Sequence, residues 1–107
     1  MTAAAESVFV AISDPTRRAI LDRLTHGPTR VTDVAAPFAM SLNAVSKHVK
    51  VLERAGLVRR ARQGREHVLT LDAAPLREVA HYCSHFERYW NERLDRLETF
   101  FRQEKRK

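Results

Sequence analysis

Asn43, Lys47, Lys50 and Arg54 recur at intervals of three or four residues, and Arg59, Arg60, Arg62 and Arg65 follow close behind. Cationic side chains at helical spacing can bind a row of phosphates, and an asparagine amide can pair with the edge of adenine. The surrounding charge supports that chemistry. Between Ser41 and Leu71 lie seven basic residues and only two acids, Glu53 and Glu66. Residues 1–40 carry four of each sign, and residues 72–107 carry eight basic residues against seven acids. The net charge of +6 is therefore concentrated almost wholly in one stretch. Such concentration points to a polyanionic partner rather than to general solubility.

The elements around these residues can be read from caps and periodicity. A first short helix is expected over about Ala3–Ser13. Asp14-Pro15 then reads as an N-cap followed by proline at the first helical position, opening a second helix that runs to about His26. Gly27 and Pro28 stop it. A third helix is expected over Val31–Phe38, limited by Pro37. Ser41 reads as the N-cap of a fourth helix, Leu42–Ala55, with Gly56 as its left-handed stop. The third and fourth helices have helix-turn-helix spacing.

Leu57–Ala61 and His67–Leu71 favour strand, with Gln63-Gly64 between them, so an antiparallel hairpin with a loop of several residues is expected. A long helix then runs from about Leu76 to Arg102. The predicted fold class is mostly α with a small β-hairpin, in the order α-α-α-α-β-β-α, a winged helix-turn-helix. One domain is expected over residues 1–107: the first three helices in 3–40, the recognition helix in 41–56, the wing in 57–71 and the last helix in 75–103.

At about 100° per residue, Leu42, Val45, Val49 and Leu52 form one stripe of the fourth helix, which should pack inward. The opposite side carries Asn43, Lys47, Lys50 and Arg54, with Ala44 and Val51 beside them. Asn43 near the helix start suits adenine, and Lys47 suits guanine or a phosphate. Ala44 can touch a thymine methyl. Ser46, His48 and Lys50 suit phosphates or the flank of the reading surface. The alternative is a solvated face with a few lysines. Helix-turn-helix spacing, localised charge and an Arg-rich hairpin together favour DNA. Arg62 and Arg65 flank the hairpin tip, where arginines can enter a minor groove or hold its phosphate rim. A charged tip that only deters edge pairing is the competing account. Arg59 and Arg60 should face opposite ways, so that one can pair with Glu53 or Glu66.

The sequence resembles the ArsR family of winged-helix transcriptional repressors. The resemblance lies in Asp14-Pro15-Thr16-Arg17-Arg18-Ala19-Ile20-Leu21, Ser46-Lys47-His48-Val49-Lys50-Val51-Leu52-Glu53, Ala55-Gly56-Leu57-Val58 and Gly64-Arg65. It implies a homodimer that binds an imperfect palindrome in double-stranded DNA, with the first and last helices forming the dimer interface. The candidate DNA-binding set is Ser41, Asn43, Ala44, Ser46, Lys47, His48, Lys50, Arg54, Arg62 and Arg65. The candidate interface is Val8, Phe9, Tyr82, Phe86, Tyr89, Trp90, Leu94, Leu97 and Phe101. So many aromatic residues on one helix would themselves mark an association surface.

Metal-sensing relatives use a Cys-x-Cys pair on the third helix, but that segment here reads Thr32-Asp33-Val34-Ala35-Ala36. The Asp-x-His half of the other common site is replaced by Asp72-Ala73-Ala74. His81 and His85 share a helical face, so a zinc-responsive repressor completed across a dimer is one alternative. Two interface or surface histidines is the favoured reading, with no cofactor and no metal site. Cys83 is expected to be a buried small residue. A winged-helix interaction module whose basic strip binds acidic protein or RNA is a further alternative. No phosphate-cradling glycine loop, paired carboxylates or nucleophile signature suggests an enzyme. One cysteine, no apolar run of membrane-spanning length and no basic leader point to the cytoplasm, with no membrane partner. No effector, small molecule or metal, can be named.

Overall fold

The computed structural model describes residues 2–105. Its elements are α1 (Ala3–Ile12), α2 (Pro15–Leu24), β1 (Thr29–Arg30), α3 (Val31–Ala35), α4 (Leu42–Arg54), β2 (Val58–Gln63), β3 (Glu66–Leu71) and α5 (Leu76–Lys105). They fall into two compact units, one through Arg77 and one from Glu78 onward.

In the first unit the helices begin as their capping residues dictate. Thr2, Asp14 and Ser41 each accept a hydrogen bond from the backbone N–H three residues on, satisfying a donor that the helix start leaves without a partner. Pro15 opens α2. α4 ends in a Schellman turn: Leu57 N–H donates to Leu52 O and Gly56 N–H to Glu53 O, both at 3.0 Å. Gly56 has φ +77 there. A Cβ at that point would meet only Pro75 Cγ at 3.5 Å, an ordinary contact, so the backbone angle alone demands glycine. Gly56→Ala is accordingly expected to lower unfolding free energy by about 1–2 kcal/mol, measured by urea titration.

The buried side chains come from the four helices of this unit and from β2 and β3. Val8 and Ala11 of α1, Ile20 and Leu24 of α2, Val34 of α3, Val45, Val49 and Leu52 of α4, and Leu57, Val58 and Leu69 beyond it are all closed to solvent. Three of the four residues in the stripe expected on α4 are therefore internal. Leu42 is not; it is half exposed, because it stands at the first helical position and overhangs a groove instead of the core.

The sheet has three strands in the order β1-β3-β2, all antiparallel. β1 was absent from the expected order. Two residues carry no readable period, and Thr29-Arg30 becomes a strand only because β3 supplies pairing partners in Leu69 and Val68. α3 stops at Ala35 rather than Phe38, since Pro37 cannot donate to the helical ladder. The hairpin is tighter than a several-residue loop. Gln63 pairs with Glu66, leaving a two-residue turn of Gly64 and Arg65. Positive φ falls on Gly64 alone, which is the sign pattern of a type II′ turn.

The second unit is the body of α5. Tyr82, Phe86, Tyr89, Trp90, Leu94, Leu97, Phe100 and Phe101 are all between 42% and 59% exposed. Neighbouring rings touch edge to face, as Tyr82 and Phe86 do at 5.4 Å, and Arg93 lies 4.3 Å over the Tyr89 ring. Cys83 is exposed, contrary to the expected burial, because the helix presents it to solvent with no element of its own unit to cover it. No described helix is long and apolar enough to cross a membrane.

Candidate nucleic-acid interface

Six of the seven basic residues between Ser41 and Leu71 divide into two groups, and Arg62 stands apart. Arg60 donates from Nε and Nη2 to Glu53 Oε1 at 3.2 and 2.9 Å, tying β2 to α4. Arg59 donates to Asp72 Oδ2 at 2.9 Å. These two face opposite ways, as strand alternation requires, and their charge is largely answered within the fold. Glu66, the other acid of the stretch, accepts from Arg30 at 2.9 Å. Arg30 also donates to Asp33 at 2.9 Å. The Glu66 carboxylate first, and Asp33 second, raise the Arg30 pKa above its ordinary value.

Lys47, Lys50, Arg54 and Arg65 form the other group. None of them makes an ion pair with a described residue. All four are exposed, as is Asn43. Arg62 donates from Nε to Gly64 O at 3.1 Å, which fixes the guanidinium beside the turn without neutralising it. The net positive charge of this stretch therefore resides on one exposed helix face and on the hairpin tip.

A groove of about 240 Å3 runs between the first turns of α4 and the hairpin, with Leu42 and Ser46 on one wall and Arg65 and His67 on the other. Helix and tip are thus brought together at this end. Arg54 lies elsewhere, in an open groove between α4 and α1 that Glu6 and Val10 also line. Ser41 spends its oxygen on the Ala44 N–H, 3.1 Å away. Ala44, Ser46 and His48 are half-buried. His48 faces Arg17 and Asp14, contacts that charge and period did not indicate. The signal for them was present only as the proximity of Asp14-Pro15-x-Arg17 to a helix start.

Asp14 is the N-cap of α2, and the Arg17 N–H donates to its Oδ2 at 3.0 Å. That bond is the main cause holding its carboxyl below the ordinary value of 3.8, with His48 and Arg17 adding attraction against partial burial. The unfolded chain therefore binds the proton more readily than the folded one. The stabilisation is complete above the unfolded pKa and is lost as pH falls through the lowered folded value. Asn caps a helix as well as Asp but does not titrate. Asp14→Asn should therefore flatten this part of the acid limb in urea unfolding below about pH 4, relative to the parent chain.

Two candidate interface residues on α1 differ in placement. Val8 is buried inside the first unit with Ala5 and Ala11, because those three share the inward face; it is not available to a partner. Phe9 is half-buried, and Val10, at 61% exposure, is the large apolar residue that α1 presents outward. On α5, His81 and His85 lie on one face with ring centroids 5.0 Å apart. Among the described residues no group of three or more His, Cys, Asp or Glu side chains is gathered as a metal site.

A helix-turn-helix domain profile matches residues 12–61, from the end of α1 through most of β2. The chain is 39% identical over 89 residues to the HTH-type transcriptional regulator Rv2034 of Mycobacterium tuberculosis, covering 83% of this chain and 80% of that one. It is 35% identical over 80 residues to the transcriptional repressor SdpR of Bacillus subtilis, covering 75% and 89%. A crystal structure of an ArsR family transcriptional regulator superposes with a TM-score of 0.75 at 35% identity, over 82% of this chain and 91% of the other. The chain belongs to the ArsR family of winged helix-turn-helix regulators. In ArsR terms α3–α4 is the helix-turn-helix and β2–β3 the wing. A further ArsR-type neighbour is a homodimeric winged helix-turn-helix DNA-binding domain from Mycobacterium bovis. Its solution structure matches at TM-score 0.61 and 25% identity, over 87% of this chain and 83% of its own.

Proposed function

We propose that the chain is a homodimeric repressor that binds a palindromic operator in double-stranded DNA, with α4 in the major groove and the wing on the adjacent backbone. The observation that carries this reading is the sorting of charge. Arg59 and Arg60 are matched by acids of the fold, whereas Lys47, Lys50, Arg54 and Arg65 are left for a partner. Asn43 supplies base-edge recognition at the helix start, and Ala44 a surface for a thymine methyl. Ser46 and Lys50 hold phosphates, Ser41 fixes the helix start, and Arg62 braces the tip that Arg65 extends. The aromatic face of α5, together with Phe9 and Val10, pairs with a second copy; the homodimeric neighbour from Mycobacterium bovis supports that assembly. Repression accords with the name of the Bacillus subtilis relative. The reading is non-catalytic, cytoplasmic and independent of a resident metal.

Selection of bound duplexes from a random pool tests it. Recovered sites should contain two inverted half-sites about one helical turn apart. Log affinity should fall with log salt at a slope of about −5 or steeper, since each neutralised phosphate contributes roughly −0.9 and two copies offer several cations each. Recovery of no common site, or a slope near zero, would reject the reading.

A further inference from the structure

His48 stands in the middle of α4, one residue after Lys47, yet its imidazole is engaged by the α1–α2 junction. Its Nδ1 lies 3.2 Å from Arg17 Nη1 and 3.8 Å from Asp14 Oδ2. A guanidinium has donors and no acceptor, so in the neutral imidazole His48 Nδ1 accepts this bond and the ring proton resides on Nε2. The other arms of Arg17 are also committed. Its Nε donates to Ala11 O at 2.7 Å and its Nη2 to Val10 O at 3.0 Å, both carbonyls of the last turn of α1. Its backbone N–H meets Asp14 Oδ2, the cap of α2. One guanidinium therefore joins the end of α1, the start of α2 and the centre of α4.

Apolar packing through Val45, Val49 and Leu52 fixes how far α4 sits from the body but is non-directional, and constrains rotation about the helix axis weakly. Charge-assisted bonds from planar, fork-shaped donors supply direction: Arg60 on Glu53 near the end of α4, and Arg17 on His48 at its centre. Lysine, a single point charge, cannot span the three acceptors.

We propose that Arg17 and His48 are positioning residues for DNA recognition: their bond sets the rotation of α4 about its own axis, and neither side chain touches the nucleic acid. This rests on the reading of α4 as the DNA-contacting helix, and it removes His48 from the phosphate-binding set. Asp14 serves the same end by holding the backbone from which Arg17 projects.

The test uses the duplex recovered by selection and a scrambled duplex of equal length, with the full chain and its Arg17→Lys, His48→Asn and His48→Gln variants. Asn sets an acceptor oxygen near the place of Nδ1, whereas Gln sets its own near Nε2. Arg17→Lys and His48→Gln should each lose about tenfold in operator affinity, with scrambled-duplex affinity held within about twofold and the salt slope unchanged. His48→Asn should retain affinity within about threefold. Long-range proton–nitrogen spectra of the free protein should place the His48 ring proton on Nε2. In a fourth variant, Arg17→Gln, which removes the charge that Arg17→Lys keeps, a slope that shrinks by about 0.9 per copy would reveal a direct phosphate contact and overturn the proposal. Parallel loss on both duplexes together with a lowered melting temperature would do the same, reducing the bond to fold maintenance, as would a ring proton on Nδ1. A parent chain that fails to separate operator from scrambled duplex would instead bring down the DNA reading, and this proposal with it.

Discussion

Lys47→Glu combined with Arg65→Glu is expected to lower operator affinity by more than about a hundredfold while leaving the melting temperature within roughly 2 °C. On the proposed DNA reading, each reversal replaces a cation facing the nucleic acid with an anion, so attraction becomes repulsion on both α4 and the wing. Neither side chain answers a charge of the fold, and both are exposed. Surface substitutions away from caps, cores and networks barely alter stability. The control is Arg59→Glu with Arg60→Glu, which removes as much positive charge from the same stretch. There the loss should fall on stability, because Asp72 and Glu53 lose their partners and meet like charges. Fluorescence anisotropy with thermal melts separates the two outcomes. Equal loss of affinity in both double variants would mean that only bulk charge matters.

The second large effect lies on α5. Trp90→Glu with Leu94→Glu places two carboxylates, one helical turn apart, on side chains that are 58% and 59% exposed. Sedimentation equilibrium should then report the 12.3 kDa chain mass in place of twice that value. Operator affinity should fall by about a hundredfold or more, because a single copy engages one half-site and loses the effective concentration supplied by its tethered mate. The circular dichroism of the helices should persist, since no core residue is altered. A species that remains dimeric would show that association uses a different surface.

Much of the fold was legible because the sequence marks its boundaries strongly. Ser41 and Asp14 as caps, Pro15 at a helix start and Gly56 at a helix end leave little freedom, and the observed helices begin where these residues stand. What escaped was set by partners distant in sequence. β1 is a strand because β3 lies beside it, and Leu42 is exposed because the core ends before the first turn of α4. The tight turn at Gly64-Arg65 depends on ladder register, which composition does not encode. Period alone marked the cationic face but could not tell answered charges from free ones; Arg59 and Arg65 look alike until Asp72 is seen beside the first. The engagement of His48 by Arg17 escaped for a related reason, since that partner is 31 positions away.

The wing separates what it must keep from what it can vary. Its root is anchored by Val58 and Leu69 in the core and by Arg60 on Glu53, while residues 61–67 are all open to solvent. Apart from the Glu66 link to Arg30 and the positive φ of Gly64, altering the apex disturbs nothing that the globule needs. On the proposed DNA reading, successive replacements near Arg65 would let lineages retune which promoters this hairpin favours, with scant penalty in foldedness and without waiting for compensating changes elsewhere.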